Sequence, residues 1–524
     1  MVIRTPYVIT ACIGFLGGIA IASFAYTADR LPSLVSVVIM SAIGMGAAWE
    51  FGGRYRRIAL VALVACTLGA ARFASVAAAA VPAGTLVQQR AVTLEGRVVE
   101  IVPLAHRRSL LRVTDARTTT ARANIEHGDG DSFRQPVAVL SDIESSAFRY
   151  GDIIRARCTL APPEHTRDRL TTIGTCFVPR SGTIDVIGSG HGSPTLRWLA
   201  AFHANLVARM RQHLVEPAAG IAAGMVLGVR RAVSDELEEA FRRSGTIHIL
   251  VVSGWHMTYI ADLIRRLLRS IGIPRRIAAR LCIAAIIAFT LMVGLAASAV
   301  RGALMAIALI GVGLFGRVGN PIRILLLVAT AMVVVHPHIL GFDLGFQLTV
   351  AATTAILLIP PIVERWLPCR RPLLRELRDL IAASVGASFA TAPLLASAFG
   401  TVAVLGPIVG IPILPTAVAV MLLGIALLIA SASVPIVVPP IAWALAALTS
   451  AIAWVVERSA AIPWVQLHTV RFHSWFIAGT YILAFLVVLR WYRRHGIPML
   501  SPFAFTPSRS PDAPNSNLPL ASKR

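Results

Sequence analysis

Residues 248–260 read HILVVSGWHMTYI, and the fold turns on how that stretch is taken. Its apolar residues, from Ile249 to Val252 and then Trp255, Met257 and Ile260, suit a helix inside a membrane. Among them stand His248, Ser253, Gly254 and His256: two imidazoles, a hydroxyl and a residue that loosens helices. Ionisable groups within a span are expensive to bury in lipid, so they mark function by default. On a regular helix Ser253 and His256 lie one turn apart on one face, with His248 on a neighbouring flank. Gly254 permits a close backbone approach or local unwinding. The cluster reads as the lining of an aqueous path, or as buried hydrogen bonding between helices.

The whole chain supports the membrane reading. Its 524 residues are 56% hydrophobic and only 14% charged, with mean hydropathy +0.72. A soluble protein would carry roughly a quarter charged residues. Apolar runs at 7–25, 34–49 and 58–81 open the chain, and nine more follow between 247 and 489, giving about twelve spans. The formal net charge is +23, carried almost entirely by arginine, because Lys523 is the only lysine. Part of that charge is topological. Arg54, Arg56 and Arg57, then Arg265 to Arg280, Arg370 to Arg378, and Arg490 to Arg494 mark cytoplasmic loops and place both termini inside.

One long polar segment, residues 82–194, interrupts the spans and emerges outside. VTLEGRVVEIVPL, RRSLLRVTDA, GDIIRARCTL and SGTIDVIG alternate apolar and polar residues as half-buried strands do, predicting a small antiparallel barrel or sandwich. Arg97, Arg107, Arg108, Arg112, Arg155 and Arg157 lie on or beside those strands. They suit a nucleic-acid face or a plain solvated surface, and stacking aromatics are sparse. Cys158 and Cys176 both fall in this segment, as a disulfide if the compartment is oxidising and otherwise as two thiols. An amphipathic stretch with Trp198, Leu199, Phe202, Leu206 and Met210 follows, then GIAAGMVLG, which suits a short re-entrant segment.

Three further features stand in the second block of spans. Gly294, Ser298 and Gly302 have small-xxx-small spacing, and Arg301 either caps a surface loop or reaches into a pore. LGFDLGFQLTVAATT places Gln347, Thr349, Thr353 and Thr354 on a span, as polar glue or as lining. Pro393, Gly400, Gly406, Pro407, Gly410 and Pro412 predict broken helices, which persist in a membrane only when buried in protein or lining a cavity.

Together these segments resemble the ComEC family of competence proteins, which form the inner-membrane channel for DNA uptake. FRRSGTIHILVVSGWHMTYI carries the resemblance at Gly245, His248, Ser253, Gly254 and His256, SAVRGALMA at Arg301 and Met305, and GFQL at Gly345 to Leu348. The resemblance implies a polytopic α-helical protein of the bacterial cytoplasmic membrane with an inserted, extracytoplasmic OB-like β domain. That domain is DNA-binding in the family, and a disulfide there suits Cys158 and Cys176. The implied organisation is three helices over 1–82, the β domain over 83–195, a helical connector over 196–244, a channel domain over 245–490 and a cytoplasmic tail over 491–524. Implied partners are single-stranded DNA, a DNA receptor, a cytoplasmic motor or single-strand-binding proteins, with a homodimer compatible. Two departures stand out. The metallo-β-lactamase-like nuclease motif is missing, HPHILGFD being its nearest approach, and Gly410 stands where the family has asparagine.

The reading is therefore a channel and not an enzyme, with no catalytic residues, metal or cofactor. No phosphate-loop motif is present, so force is expected from a partner. Two other classes were weighed. An intramembrane serine protease would use Ser253, but Val251 stands where rhomboid-type sites have glycine, and a small-solute transporter would be favoured by inverted repeats.

Overall fold

Alternation closes the polar segment into a barrel. The computed structural model describes residues 5–27, 53–79, 90–103, 109–119, 132–133, 136–141, 148–161, 175–179, 184–229, 233–250, 254–294, 297–314, 320–369, 371–468 and 474–495. Strands β1 (Arg90–Pro103), β2 (Ser109–Thr119), β4 (Val137–Ser141), β6 (Thr175–Phe177) and β5 (Ile153–Ala161) are neighbours in that order. Pairing of β1 with β5 closes the ring. β4 and β6 run parallel, and the other closing pairs are antiparallel. β3 (Ser132–Phe133) and β7 (Ile184–Gly188) attach to β2 and β5.

On β5 the period of two is unbroken: Ile154, Ala156, Cys158 and Leu160 point inward, while Arg155, Arg157 and Thr159 face out. Inside, Leu94, Val98, Leu111, Val113 and Val139 are fully buried with Ile154. Cys158 and Cys176 are joined in a disulfide, their Cα atoms 5.5 Å apart and 18 residues apart in sequence. Closing a loop of that size stabilises a fold by about 3 kcal/mol on the chain-entropy estimate.

The rest of the described chain is almost entirely helical. By length and composition five helices can cross a membrane: 58–77, 344–366, 374–399, 406–433 and 435–460. The run at 34–49 lies outside the described residues. Near the N-terminus α1 (Thr5–Thr27) and α2 (Gly53–Ala79) touch backbone to backbone. A Cβ on Gly14, Gly18 or Gly69 would collide with the carbonyls of Ala62, Cys66 and Phe15 respectively. Without a hydrophobic drive in lipid, such close approach is what holds helices together.

The connector folds as two helices of unlike character. α3 (Pro194–His213) turns Leu199 and Met210 inward and leaves Trp198 and Phe202 outside, their rings stacked at 5.3 Å. α4 (Ala218–Leu227) is buried at all ten positions and forms the centre of the largest core. Ten residues rise about 15 Å, half the hydrocarbon thickness, so α4 does not cross. Its ends are closed within the protein. Gly220 N–H donates to Glu216 Oε2 at 3.0 Å, and His203 Nε2 meets the Leu227 carbonyl at 3.0 Å.

Two expectations need correction. The prolines do not break their helices, since α13 (Pro372–Phe399) continues through Pro393 and α14 (Gly406–Ser433) through Pro412 and Pro415. Ser384 of α13 donates to Pro407 O in the first turn of α14 at 3.3 Å, and Thr416 bonds back to Pro412 O on its own helix at 2.7 Å. The chain turns instead at Gly400, whose φ is +69°, and forms β8 (Thr401–Ala403) against β9 (Gln466–His468). In the run at 247–263 the described elements are α6 (Ile247–Leu250) and α7 (Gly254–Ser270), and residues 251–253 lie outside the described residues. Gly294, with φ +73°, sits in the turn after α8 (Arg275–Met292), and Ser298 and Gly302 belong to α9 (Ala297–Leu314).

Candidate functional site

The site grows from the end of α5 (Asp235–Arg243). Ser234 caps that helix by accepting from Leu237 N–H, acidic residues fill its first turn, and Arg242 and Arg243 fill its last, as the helix dipole favours. Leu237 and Phe241 anchor it in the core. Past Arg243 the chain reverses: Thr246 N–H donates to Phe241 O at 2.9 Å and Gly245 N–H to Arg242 O at 3.1 Å. The reversal requires φ +75° at Gly245, the left-handed region that glycine alone enters without cost.

Space makes the same demand. A Cβ on Gly245 would lie 2.6 Å from Ala403 Cβ and 3.1 Å from Gly406 Cα. Ser244 and Thr246 are wholly buried and bond each other at 2.8 Å, with Ser244 also donating to Phe241 O at 3.1 Å. The turn is therefore a dry, satisfied knot joining α5 to the start of α14.

His248 emerges from this knot. Its Nδ1 is 3.1 Å from Gly245 O, and a carbonyl only accepts, so Nδ1 carries the proton in that bond. Nε2 of the neutral ring is then left as an acceptor. The ring is exposed. His256 lies in the first turn of α7. Ser253 and the side chains of Trp255 and His256 lie outside the described residues, and with them the shared face expected of Ser253 and His256.

Arg301 and Gln347 come together in a second place. Arg301, on α9, is 7% exposed, and its Nη1 is 3.7 Å from Asp343 Oδ2. Its charge faces a carboxylate that is itself partly exposed. Asp343 caps α12 (Leu344–Trp366), accepting from Gly345 N–H at 2.9 Å and Phe346 N–H at 3.3 Å. Gln347 Nε2 donates to the carbonyls of Leu340 at 2.8 Å and Gly341 at 3.0 Å, closing the end of α11 (His338–Phe342). Thr349 and Thr354 bond back along their own helix, to Gly345 O and Val350 O. His336 and His338 lie with ring centroids 5.7 Å apart, away from any cluster of three metal-ligating groups among the described residues.

On the barrel, cross-strand pairs occupy three of the six arginines. Arg97 meets Asp115 at 2.7 Å, Arg112 meets Glu100 at 2.9 Å, and Arg155 meets Glu95 at 2.5 Å. Arg157 is exposed on β5, opposite Thr93 of β1. Arg107 and Arg108 lie outside the described residues.

Asp343 and the Ser244–Thr246 knot were not singled out from the sequence as working parts. A signal for Asp343 existed, an aspartate just before an apolar helical run being a cap candidate. The knot had none beyond the glycine, because its partners come from residues 403–406.

Comparison with known proteins places the site. A family model described as Competence protein matches residues 225–494, which takes in both clusters. ComE operon protein 3 of Bacillus subtilis (strain 168) is 27% identical over 172 residues, 30% of this chain and 21% of that protein. The match therefore spans about a fifth of that relative's length. No solved structure matches the chain.

Proposed function

The chain belongs to the competence protein family, and from that premise we propose that it forms the route by which single-stranded DNA crosses the bacterial cytoplasmic membrane. The observation that supports the reading is His248, an exposed imidazole held by a buried turn, within the matched residues. Each phosphate of a nucleic acid carries a charge that lipid cannot accept. A wet passage must offer polar groups in place of water. Neutral imidazoles serve better than dense fixed cations, which would hold a polyanion rather than pass it. A general acid or base is not required by this reading, and no catalytic role is assigned.

The architecture we infer around that route has about twelve spans and both termini in the cytoplasm. The five-strand closure β1-β2-β4-β6-β5 is read as an OB-type barrel outside the membrane. With three of its arginines paired to carboxylates, the barrel would hold a strand weakly, through Arg157 and the backbone, rather than clamp it. A receptor outside and a motor or single-strand-binding protein inside complete the assembly.

The test is transfer of labelled DNA into the cytoplasm of a strain deleted for this gene, with and without the gene restored. Transfer lost on deletion and regained on restoration is expected. A deletion strain that imports DNA as well as its parent overturns the reading.

A further inference from the structure

We propose that Asp343 is a positioning residue for strand passage, and that Arg301 acts through it rather than on the DNA. The inference rests on the chain being the strand route. Its substance is geometric, and it concerns a residue to which the sequence motifs assign nothing.

One carboxylate performs two tasks. Asp343 Oδ1 accepts from the Gly345 and Phe346 N–H groups and starts α12, while Oδ2 faces the guanidinium of Arg301 on α9. The aspartate therefore ties two helices that are far apart in sequence. Gly345 makes room for this. A Cβ there would be 3.2 Å from Asp343 Oδ1, tighter than side chains ordinarily pack, and 3.4 Å from Arg301 Nη2, at the edge of ordinary contact. Phe346 is 2% exposed in a core shared with α1, α2 and α10 (Pro321–Val335), so the start of α12 is anchored on its other side. Gln347 locks α11 to the same corner. Every member of this segment fixes the angle between α11 and α12, and Arg301 fixes α9 onto it.

The ion pair is loose by contact standards. At 3.7 Å, Nη1 and Oδ2 are beyond the 2.7–2.9 Å of a charge-assisted hydrogen bond, so charge balance rather than a tight directional bond joins them. Arg301 is 7% exposed, and Asp343 supplies counter-charge to its guanidinium there. A phosphate approaching Nη1 would compete with the carboxylate that also caps α12. The arrangement accordingly assigns Arg301 a place in holding helices, not in lining the path.

This distinguishes two outcomes of one experiment. Asp343→Asn keeps the cap, because asparagine is as good at that position, but removes the counter-charge. Arg301→Gln removes the cation and leaves the carboxylate. The double variant Arg301→Gln/Asp343→Asn replaces the ion pair by two neutral groups able to bond. Transfer of labelled DNA is measured per molecule of protein in the membrane, alongside melting of each purified variant in detergent.

Each single variant is expected to lower transfer severalfold, since the pair is long and Asp343 is partly exposed. The double variant is expected to recover most of it. A double variant as inactive as Arg301→Gln overturns the proposal, because the guanidinium itself would then be needed by the strand. So does an Asp343→Asn protein that transfers DNA normally. If a single variant fails to accumulate, the double variant still decides between charge balance and a required guanidinium. The transport reading fails separately, through a deletion strain that imports DNA normally. In that case the non-additivity of the melting shifts still reports on the pair.

Discussion

Gly245→Val is expected to stop the protein accumulating in the membrane, where Gly406→Ala is tolerated. At Gly245 two costs add. The backbone is held at φ +75°, which a β-branched residue enters only at a penalty of about 1–2 kcal/mol. Its side chain would meet Ala403 Cβ at 2.6 Å and Gly406 Cα at 3.1 Å, and overpacking of this kind costs roughly 1–3 kcal/mol. The sum, about 2–5 kcal/mol, is a large part of the stability of an ordinary domain. Relaxation is blocked because the turn is flanked by Ser244 and Thr246, both fully buried. From the other side, a Cβ on Gly406 would lie 3.5 Å from Gly245 Cα, an ordinary contact. Membrane levels and detergent melting of the two variants check the contrast, and equal behaviour would remove the steric account of the turn.

Gly18→Leu is expected to separate α1 from α2, whereas Gly17→Leu, one residue earlier, leaves the protein unchanged. A Cβ at Gly18 lands on the carbonyl of Cys66, and neither backbone has a flexible end that could yield. Nothing lies within 4 Å of a Cβ at Gly17. The pair of helices must part, and the loss reaches the upper overpacking range, about 3 kcal/mol. Phe73 and Ile19, both buried in the core that α1 and α2 share with α10 and α12, would be unpacked with them. Unfolding of the two variants in detergent, followed by limited proteolysis, checks this. Equal midpoints would mean that the two helices do not touch in the protein.

How much of this could be read from the sequence follows from the range of the interactions. The strands were legible because a period of two is local: GDIIRARCTL became β5 with Ile154, Ala156, Cys158 and Leu160 inward. The long helices were legible from apolar runs for the same reason. The behaviour of Pro393, Pro412 and Pro415 was not, because whether a proline breaks a helix depends on what packs around the carbonyl it frees, and that is set by the tertiary fold. Arg301 was ambiguous in the sequence because its partner stands forty-two residues away in a different element, and only the fold sets the 3.7 Å between them. Gln347 was read equally as glue or lining, and the structure adds its two bonds to the end of α11. Gly245 was singled out as part of a motif, but its reason, the approach of residues 403–406, is tertiary.

The central claim is that a wet path passes His248. Replacing the free cysteines Cys12, Cys66, Cys282 and Cys369 while keeping the disulfide leaves His248→Cys as a single reporter thiol. The account predicts that a charged, membrane-impermeant thiol reagent labels it in intact membranes, and that single-stranded DNA slows the labelling. Labelling by a lipid-soluble maleimide alone, with the charged reagent inert and DNA without effect, would contradict it.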